Sequence, residues 1–241
     1  MTDNTEMCAV PVRFADGSIP GEALAVIHAA DWPMVKDRLA NVHARRPDGA
    51  LYVGWLPEDG GPWLWEVERT RETGGIVWTA SFSSGVPATA VAAFLRALTA
   101  PAGADGAACA DVAAADATLR GAGWQVHDAG TPPWDGYDEG TTPWQVLARH
   151  GEGDLKLAFL DVRSNDAIGD IGPDDAPLPR AWPAWALACA AGPAGPVEWW
   201  AELGRETPAD AVAAFLAAVT AADLVNRPID ELSAPVRRRF A

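Results

Sequence analysis

Apolar residues recur along this chain in two rhythms, and the change of rhythm marks out its elements. Between Pro87 and Ala100, Val91, Phe94, Leu95 and Leu98 stand at i, i+3, i+4 and i+7, which puts them on one face of an α-helix. Val212, Phe215, Leu216 and Val219 repeat that face after Pro208. Each proline is expected at the first helical position, where its fixed φ suits the turn, and Thr207 is expected to cap the second helix. Nine residues before each proline stands a tryptophan, Trp78 or Trp199, within a stretch where bulky and small residues alternate as on a half-buried strand. Strand, turn, helix is predicted twice.

The two stretches are copies of one another. Over 23 residues compared without a gap from Trp78 and from Trp199, 13 are identical. Upstream the correspondence continues with a growing offset: 92 positions from Trp32 to Trp124, 104 from Leu51 to Leu155, 120 from Trp65 to Trp185 and 121 from Trp78 to Trp199. The second copy therefore carries two insertions, rich in Gly, Pro and Asp, at 129–143 and 163–177, both expected to be loops between strands.

Before the Trp78 strand, alternation at 32–36, 40–46, 51–56 and 63–68 predicts further strands. The intervening Pro47-Asp-Gly49, Pro57–Pro62 and Glu72–Gly75 are turn chemistry. Strands joined this closely, with no helix between them, make an antiparallel sheet. A shorter helix is predicted at 20–30, with Ala23, Leu24 and Ile27 inward and His28 on its rim, and its counterpart at 111–120. Residues 8–14 are expected to form a strand kept to an edge or a start by Pro11. The small-residue stretch 101–110 reads as a linker.

The expected fold is thus α+β: two tandem, pseudo-equivalent units, residues 1–101 and 102–241. Each is a twisted antiparallel sheet of four to five strands packed by a C-terminal helix and a shorter N-terminal one. The sheets are expected to meet edge to edge or through their helices. The C-terminal stretch 223–240 has no counterpart after the first copy and is expected to form a short helix from Ile229.

Composition adds three constraints. Twelve tryptophans among 241 residues are more than a sheet surface needs, so most are assigned to the core. The three cysteines, Cys8, Cys109 and Cys189, are widely spaced and lack the pairing of a disulfide framework or a zinc site. The formal charge of −15 is uneven, with −4 on residues 1–101 and −11 beyond. The acidic N-terminus lacks an apolar signal core, and no long apolar run is present, so a cytoplasmic protein without membrane contact is expected.

Several segments together resemble a known family. Val10-Pro-Val-Arg-Phe-Ala-Asp-Gly17, Ala30-Asp-Trp-Pro33, Asn41-Val42, Arg46-Pro-Asp-Gly49, Leu51-Tyr-Val-Gly-Trp-Leu-Pro57, Leu64-Trp65 and Trp78-Thr-Ala-Ser-Phe82, closing with Pro87 and its helix, are similar to the actinobacterial domain of unknown function 317. The resemblance covers 9–101 and, more loosely, 111–222. It implies a cytoplasmic protein with tandem copies of an α+β module, and it implies no activity.

The chemistry-bearing residues form no familiar set. Nucleophile-elbow, phosphate-loop, dinucleotide and zinc-protease motifs are absent, and His28, His43, His127 and His150 are scattered. No catalytic residue, cofactor or metal site is therefore expected. The acidic residues Asp166, Asp170, Asp174 and Asp175, or Asp135, Asp138 and Glu139, lack the spacing of a calcium loop.

Three readings of function follow. The favoured one is a non-enzymatic module that holds or regulates a protein partner, through an exposed strand edge, through Trp134 and Tyr137 in an inserted loop, or through the tail Arg237, Arg238, Arg239 and Phe240. The alternative is a single-stranded nucleic-acid binder of the whirly or PUR kind, using Arg45 and Arg149 at matching strand positions with Arg13, Arg46, Lys36 and Lys156. The net charge opposes it. The third is small-molecule binding between the units.

Overall fold

The structure, a computed structural model, describes residues 6–15, 19–58, 60–101, 103–106, 119–121, 123–126, 144–150, 154–160, 183–192 and 195–241. The inserted loops 129–143 and 163–177, Cys109, His127 and most of the predicted helix 111–120 lie outside them. The fold is α+β. Its strands are β1 (Met7–Pro11), β2 (Met34–Lys36), β3 (Val42–Arg45), β4 (Leu51–Trp55), β5 (Trp63–Thr70), β6 (Ile76–Ser83), β7 (Gln125–Val126), β8 (Trp144–His150), β9 (Leu155–Leu160), β10 (Pro183–Ala190), β11 (Val197–Gly204) and β12 (Leu224–Pro228). The helices are α1 (Gly21–Ala29), α2 (Ala88–Thr99), α3 (Ala209–Thr220) and α4 (Ala234–Phe240), with 3-10 turns at Val12–Phe14, Gly103–Asp105 and Ile229–Glu231.

Ten strands form one antiparallel sheet in the order β2-β3-β4-β5-β6-β11-β10-β9-β8-β7. Strands from the two halves of the chain meet at its centre, where Phe82 pairs with Ala201, Ser81 with Glu202 and Ala80 with Leu203. Position 80 thus faces the residue 121 beyond position 82, and position 82 faces the residue 121 beyond position 80. Both backbones approach closely at this seam. A Cβ at Gly204 would stand 3.0 Å from the Thr79 carbonyl oxygen, and one at Gly85 would stand 2.7 Å from that of Glu198.

One face of the sheet carries the core. Period-two alternation sends Trp65, Val67, Trp78, Ala80, Phe82, Trp199, Ala201 and Leu203 to the same side, and all are buried. Helices α2 and α3 lie on that side and against each other, with α1 beside α2. Phe82 joins all three parts, its ring centroid 5.2 Å from that of Phe94 on α2 and 5.1 Å from that of Phe215 on α3. The predicted helix faces are the buried ones: Val91, Phe94, Leu95, Leu98, Val212, Phe215, Leu216 and Val219 all lie in the core. In α1, Ala23 and Ile27 are buried, Leu24 is half-buried and His28 is exposed.

Three expectations are corrected. Pro87 and Pro208 stand one position before their helices, with ψ of 129° and 133°, and act through their carbonyls. The N–H groups of Ala211 and Val212 both donate to the Pro208 carbonyl. Thr207 therefore does not cap the helix: it is fully buried, and among the described residues its hydroxyl meets no hydrogen-bond partner. The strand at 8–14 is shortened to β1 and joins no strand of the large sheet. It pairs instead with β12, a strand that the sequence reading left unmarked. The tail does form a helix, but from Ala234, after a 3-10 turn at Ile229–Glu231.

The β1–β12 pair brings both ends of the described chain to the β11 side of the sheet. The Trp199 indole N–H donates to the Arg13 carbonyl at 2.7 Å, and Arg227 donates to the Phe14 carbonyl at 3.0 Å. Asp154, fully buried before β9, receives Nε and Nη2 of Arg13 at 3.1 and 2.8 Å, and Nη1 of Arg239 from α4. A buried carboxylate costs several kcal/mol in lost hydration unless it is paired, and two guanidiniums meet that need. Burial pushes the nearby Cys189 thiol well above its usual range.

Candidate interaction face

The alternation that buries one set of side chains turns the intervening set to the other side of the sheet, where no helix lies among the described residues. Across that face runs a row of paired positions, His43, Gly54, Glu66, Ser81, Glu202 and Ala186. A parallel row reads Arg45, Tyr52, Glu68 and Thr79. In the second half of the chain Gln125, Arg149, Lys156, Ala188 and Trp200 align in the same way. Glu66, Glu68, Thr79, Ser81 and Glu202 are half-buried, as on an open sheet surface. Ala186 and Ala188 are buried.

The middle of this face is acidic and aromatic. Trp200 is 38% exposed, and the Trp63 ring meets it edge-on at 5.8 Å, which joins the two halves on the open side as Phe82 joins them on the covered side. The Trp200 backbone N–H donates to the Ser83 hydroxyl at 2.9 Å, fixing the strand that presents the ring. The Glu202 carboxyl makes no hydrogen bond among the described residues, and burial raises it above the ordinary value. Glu66 and Glu68 flank it on β5.

At the β2–β4 end, a hydrogen-bonded chain stands on the same face. Asp37 Oδ2 lies 3.2 Å from His43 Nε2, and His43 Nδ1 lies 2.8 Å from the Tyr52 hydroxyl. A carboxylate can only accept, so in the neutral imidazole Nε2 carries the proton and Nδ1 accepts from Tyr52. Gly54 makes room for this arrangement, because a Cβ there would lie 2.5 Å from the Tyr52 hydroxyl oxygen. Partial burial works to raise the Asp37 carboxyl. Bonds from the His43 and Asn41 side chains and from the N–H groups of Leu39 and Asn41 outweigh it and hold the carboxyl below its ordinary value. Arg45 lies 5.5 Å from the Tyr52 ring centre, at a distance suited to cation–π attraction.

The sequence-predicted site residues are dispersed. Arg45 and Arg149 do share the open face, Arg45 exposed and Arg149 half-buried. Arg45 gives a hydrogen bond to the Gly49 carbonyl at 3.2 Å. Lys36 stands on the edge strand β2, and Lys156 on β9 opposite Arg149. Arg46 is held by Asp48 at 2.6 Å, with Asp105 at 4.0 Å; the Asp48 bond raises the guanidinium's pKa, and Arg46 in turn lowers that of Asp48. Arg13 is committed to Asp154 and does not reach the sheet face.

The tail helix packs on its own chain. Val236 is buried, the Phe240 ring lies 5.4 Å from that of Phe14, and Arg239 is paired with Asp154. Arg237 donates to the Leu232 carbonyl at 3.4 Å, and Arg238 is left exposed. Its apolar groups and Arg239 are satisfied within the chain. Trp134 and Tyr137 lie outside the described residues. Sequence reasoning missed the Asp37–His43–Tyr52 chain, the Trp63–Trp200 contact and Asp154. Alternation could have placed Tyr52 and Gly54 on one face, but not which strands would pair beside them.

A cleft of about 410 Å³ lies where the halves and both chain ends meet, lined in part by Ser84, Glu198, Trp199, Arg227 and Ser233. Its polar groups already serve the fold: Ser233 donates to Glu198 at 2.7 Å, and Arg227 is engaged by Phe14 and Glu231. No group of three or more His, Cys, Asp or Glu among the described residues is placed to hold a metal ion. Among them, no helix is long and apolar enough to cross a membrane.

Residues 46–104, which run from the turn before β4 through α2 to the Gly103–Asp105 turn, match the model of the SPDY family, a domain of unknown function (DUF317). This segment, about a quarter of the chain, is similar to that family. It supplies three of the strands that build the open face, together with the helix that covers the other side. No curated protein and no solved structure matches the chain.

Proposed function

We propose that this chain is a non-enzymatic, cytoplasmic adaptor built from two SPDY-like units, residues 1–101 and 102–241, and that the open face of their joined sheet holds a basic protein partner. The observation that carries this reading is the strip made by Glu66, Glu68 and Glu202 beside the Trp63–Trp200 pair. Aromatic anchors supply contact area at little entropic cost, and half-desolvated carboxylates favour cations over phosphates. The tandem part of the proposal is supported by the 121-residue repeat and by the seam register, in which repeat-related positions face one another.

The nucleic-acid reading draws on Arg45 above Tyr52. It is opposed by the carboxylates in the middle of the same face and by the pairing of Arg13 and Arg46 with aspartates. Anisotropy titrations separate the two. A labelled peptide alternating lysine and leucine is expected to bind in a salt-dependent way, with Glu66→Gln/Glu202→Gln weakening it at least tenfold. Binding of single-stranded DNA that is lost in Arg45→Glu, with no binding of the peptide, would replace this reading with the other.

A further inference from the structure

We propose that the free edge of the sheet at β2 is a strand-addition site for an extended, acidic segment of a partner protein in which apolar side chains alternate with carboxylates. This site lies on an end strand, away from the acidic strip on β5, β6 and β11, so the two proposals stand or fall separately.

The backbone argument comes first. β2 is the terminal strand of the ten, hydrogen-bonded among the described residues to β3 alone. The backbone N–H of Arg45 donates to the Pro33 carbonyl at 3.2 Å, and that of Asp37 donates to the Asn41 carbonyl at 2.9 Å, so positions 33 and 37 bond inward. Bonding alternates along an antiparallel strand, so Val35 also bonds inward, opposite His43, while Met34 and Lys36 turn their N–H and C=O groups to the open edge. An edge of this kind is a template for another strand.

The side chains supply the specificity. Met34 is 37% exposed, Val35 65% and Leu39 58%, although all are apolar. Met34 projects to the helix side of the sheet and Val35 to the open side, so an added strand would find an apolar neighbour on each face. Lys36, Arg38 and Arg45 are exposed around them, and among the described residues none of the three meets a carboxylate. Arg13, Arg46, Arg69 and Arg239 are all paired with aspartates. On a chain of net charge −15, this end of the sheet is a local cationic spot. Screening over about 8–10 Å at ordinary salt lets such a spot act against the charge of the whole.

The test uses the full chain and a labelled, end-blocked ten-residue peptide alternating valine and glutamate. Three probes accompany it: a valine/lysine counterpart, the glutamate peptide N-methylated at alternate positions, and a single-stranded DNA decamer. In the Glu66→Gln/Glu202→Gln chain, where the acidic strip no longer competes for the lysine peptide, the glutamate peptide is expected to bind at least tenfold tighter than the lysine peptide. Lys36→Pro, which removes an outward N–H and leaves the β3 bonds intact, and Lys36→Glu/Arg38→Glu are each expected to weaken it tenfold or more. N-methylation is expected to do the same, and it tests the backbone pairing even if Lys36→Pro does not fold. Equal affinity for the N-methylated peptide, preference for the lysine peptide in the Glu66→Gln/Glu202→Gln chain, or equal binding of the DNA decamer would each overturn the proposal.

Discussion

The two faces of the ten-stranded sheet are made by the same strands and differ in almost every respect. On the covered side stand Trp65, Trp78, Trp185, Trp199 and Phe82, none more than 1% exposed, packed against α2 and α3. On the open side the next residues along are Glu66, Glu68, Thr79, Ser81, Trp200 and Glu202, half-buried or exposed. A shift of one residue along a strand exchanges these sets completely, so the register that protects the core also fixes what the open side displays. On the proposed function, stability and recognition are separable here, residue by residue.

The largest effect should come from the covered side. Phe82→Ala removes the ring that meets Phe94 and Phe215 and is expected to cost about 3–5 kcal/mol, read as a lower denaturant midpoint. Phe94→Asp places a carboxylate in the same layer and should abolish folding of the first half; an unchanged melting temperature would refute the assigned helix face.

Next in size is the charge cluster at the chain ends. Asp154→Ala removes the carboxylate that Arg13 and Arg239 share and is expected to cost about 3–5 kcal/mol at most, since both guanidiniums retain some contact with water. Limited proteolysis should then cut the C-terminal helix early. A resistant tail would show that α4 is held by Val236 and Phe240 alone.

The smallest effect is on the open side. Burial raises the Glu202 carboxyl, so the folded chain holds this proton more tightly than the unfolded chain does. Stability from this group is therefore present at low pH and is lost as pH rises past the unfolded value and through the higher folded one. Glu202→Gln should raise the melting temperature modestly at neutral pH and make no difference well below pH 4.5, the ordinary value. An equal effect at both pH values would mean that the gain has another source.

Much of the covered side was legible in the sequence. The i, i+3, i+4, i+7 faces of α2 and α3 and the alternation around Trp78 and Trp199 name the buried residues, because burial imposes a local period. What escaped is non-local. The pairing of β1 with β12 joins residues more than two hundred positions apart, and nothing in Met7–Pro11 announces its partner. Asp154 looks in sequence like any turn aspartate and is identified only by the two arginines that converge on it. Thr207 was read as a cap because that residue type before a helix usually serves as one, yet the Pro208 carbonyl takes that place. On the open side, matching the copies put Arg45 and Arg149 on one face, but the Trp63–Trp200 contact depends on the seam between β6 and β11, which no local pattern encodes.

The most direct test of this separation is Trp200→Ala, followed by anisotropy with the lysine/leucine peptide and by a thermal melt of the same sample. Affinity is predicted to fall at least tenfold while the melting temperature moves by no more than about 6 °C, because the ring is 38% exposed and its edge contact with Trp63 is worth only about 0.5–1.5 kcal/mol, at about 2–4 °C per kcal/mol. Unchanged affinity, or destabilisation comparable to that of Phe82→Ala, would contradict the assignment of the open face to recognition.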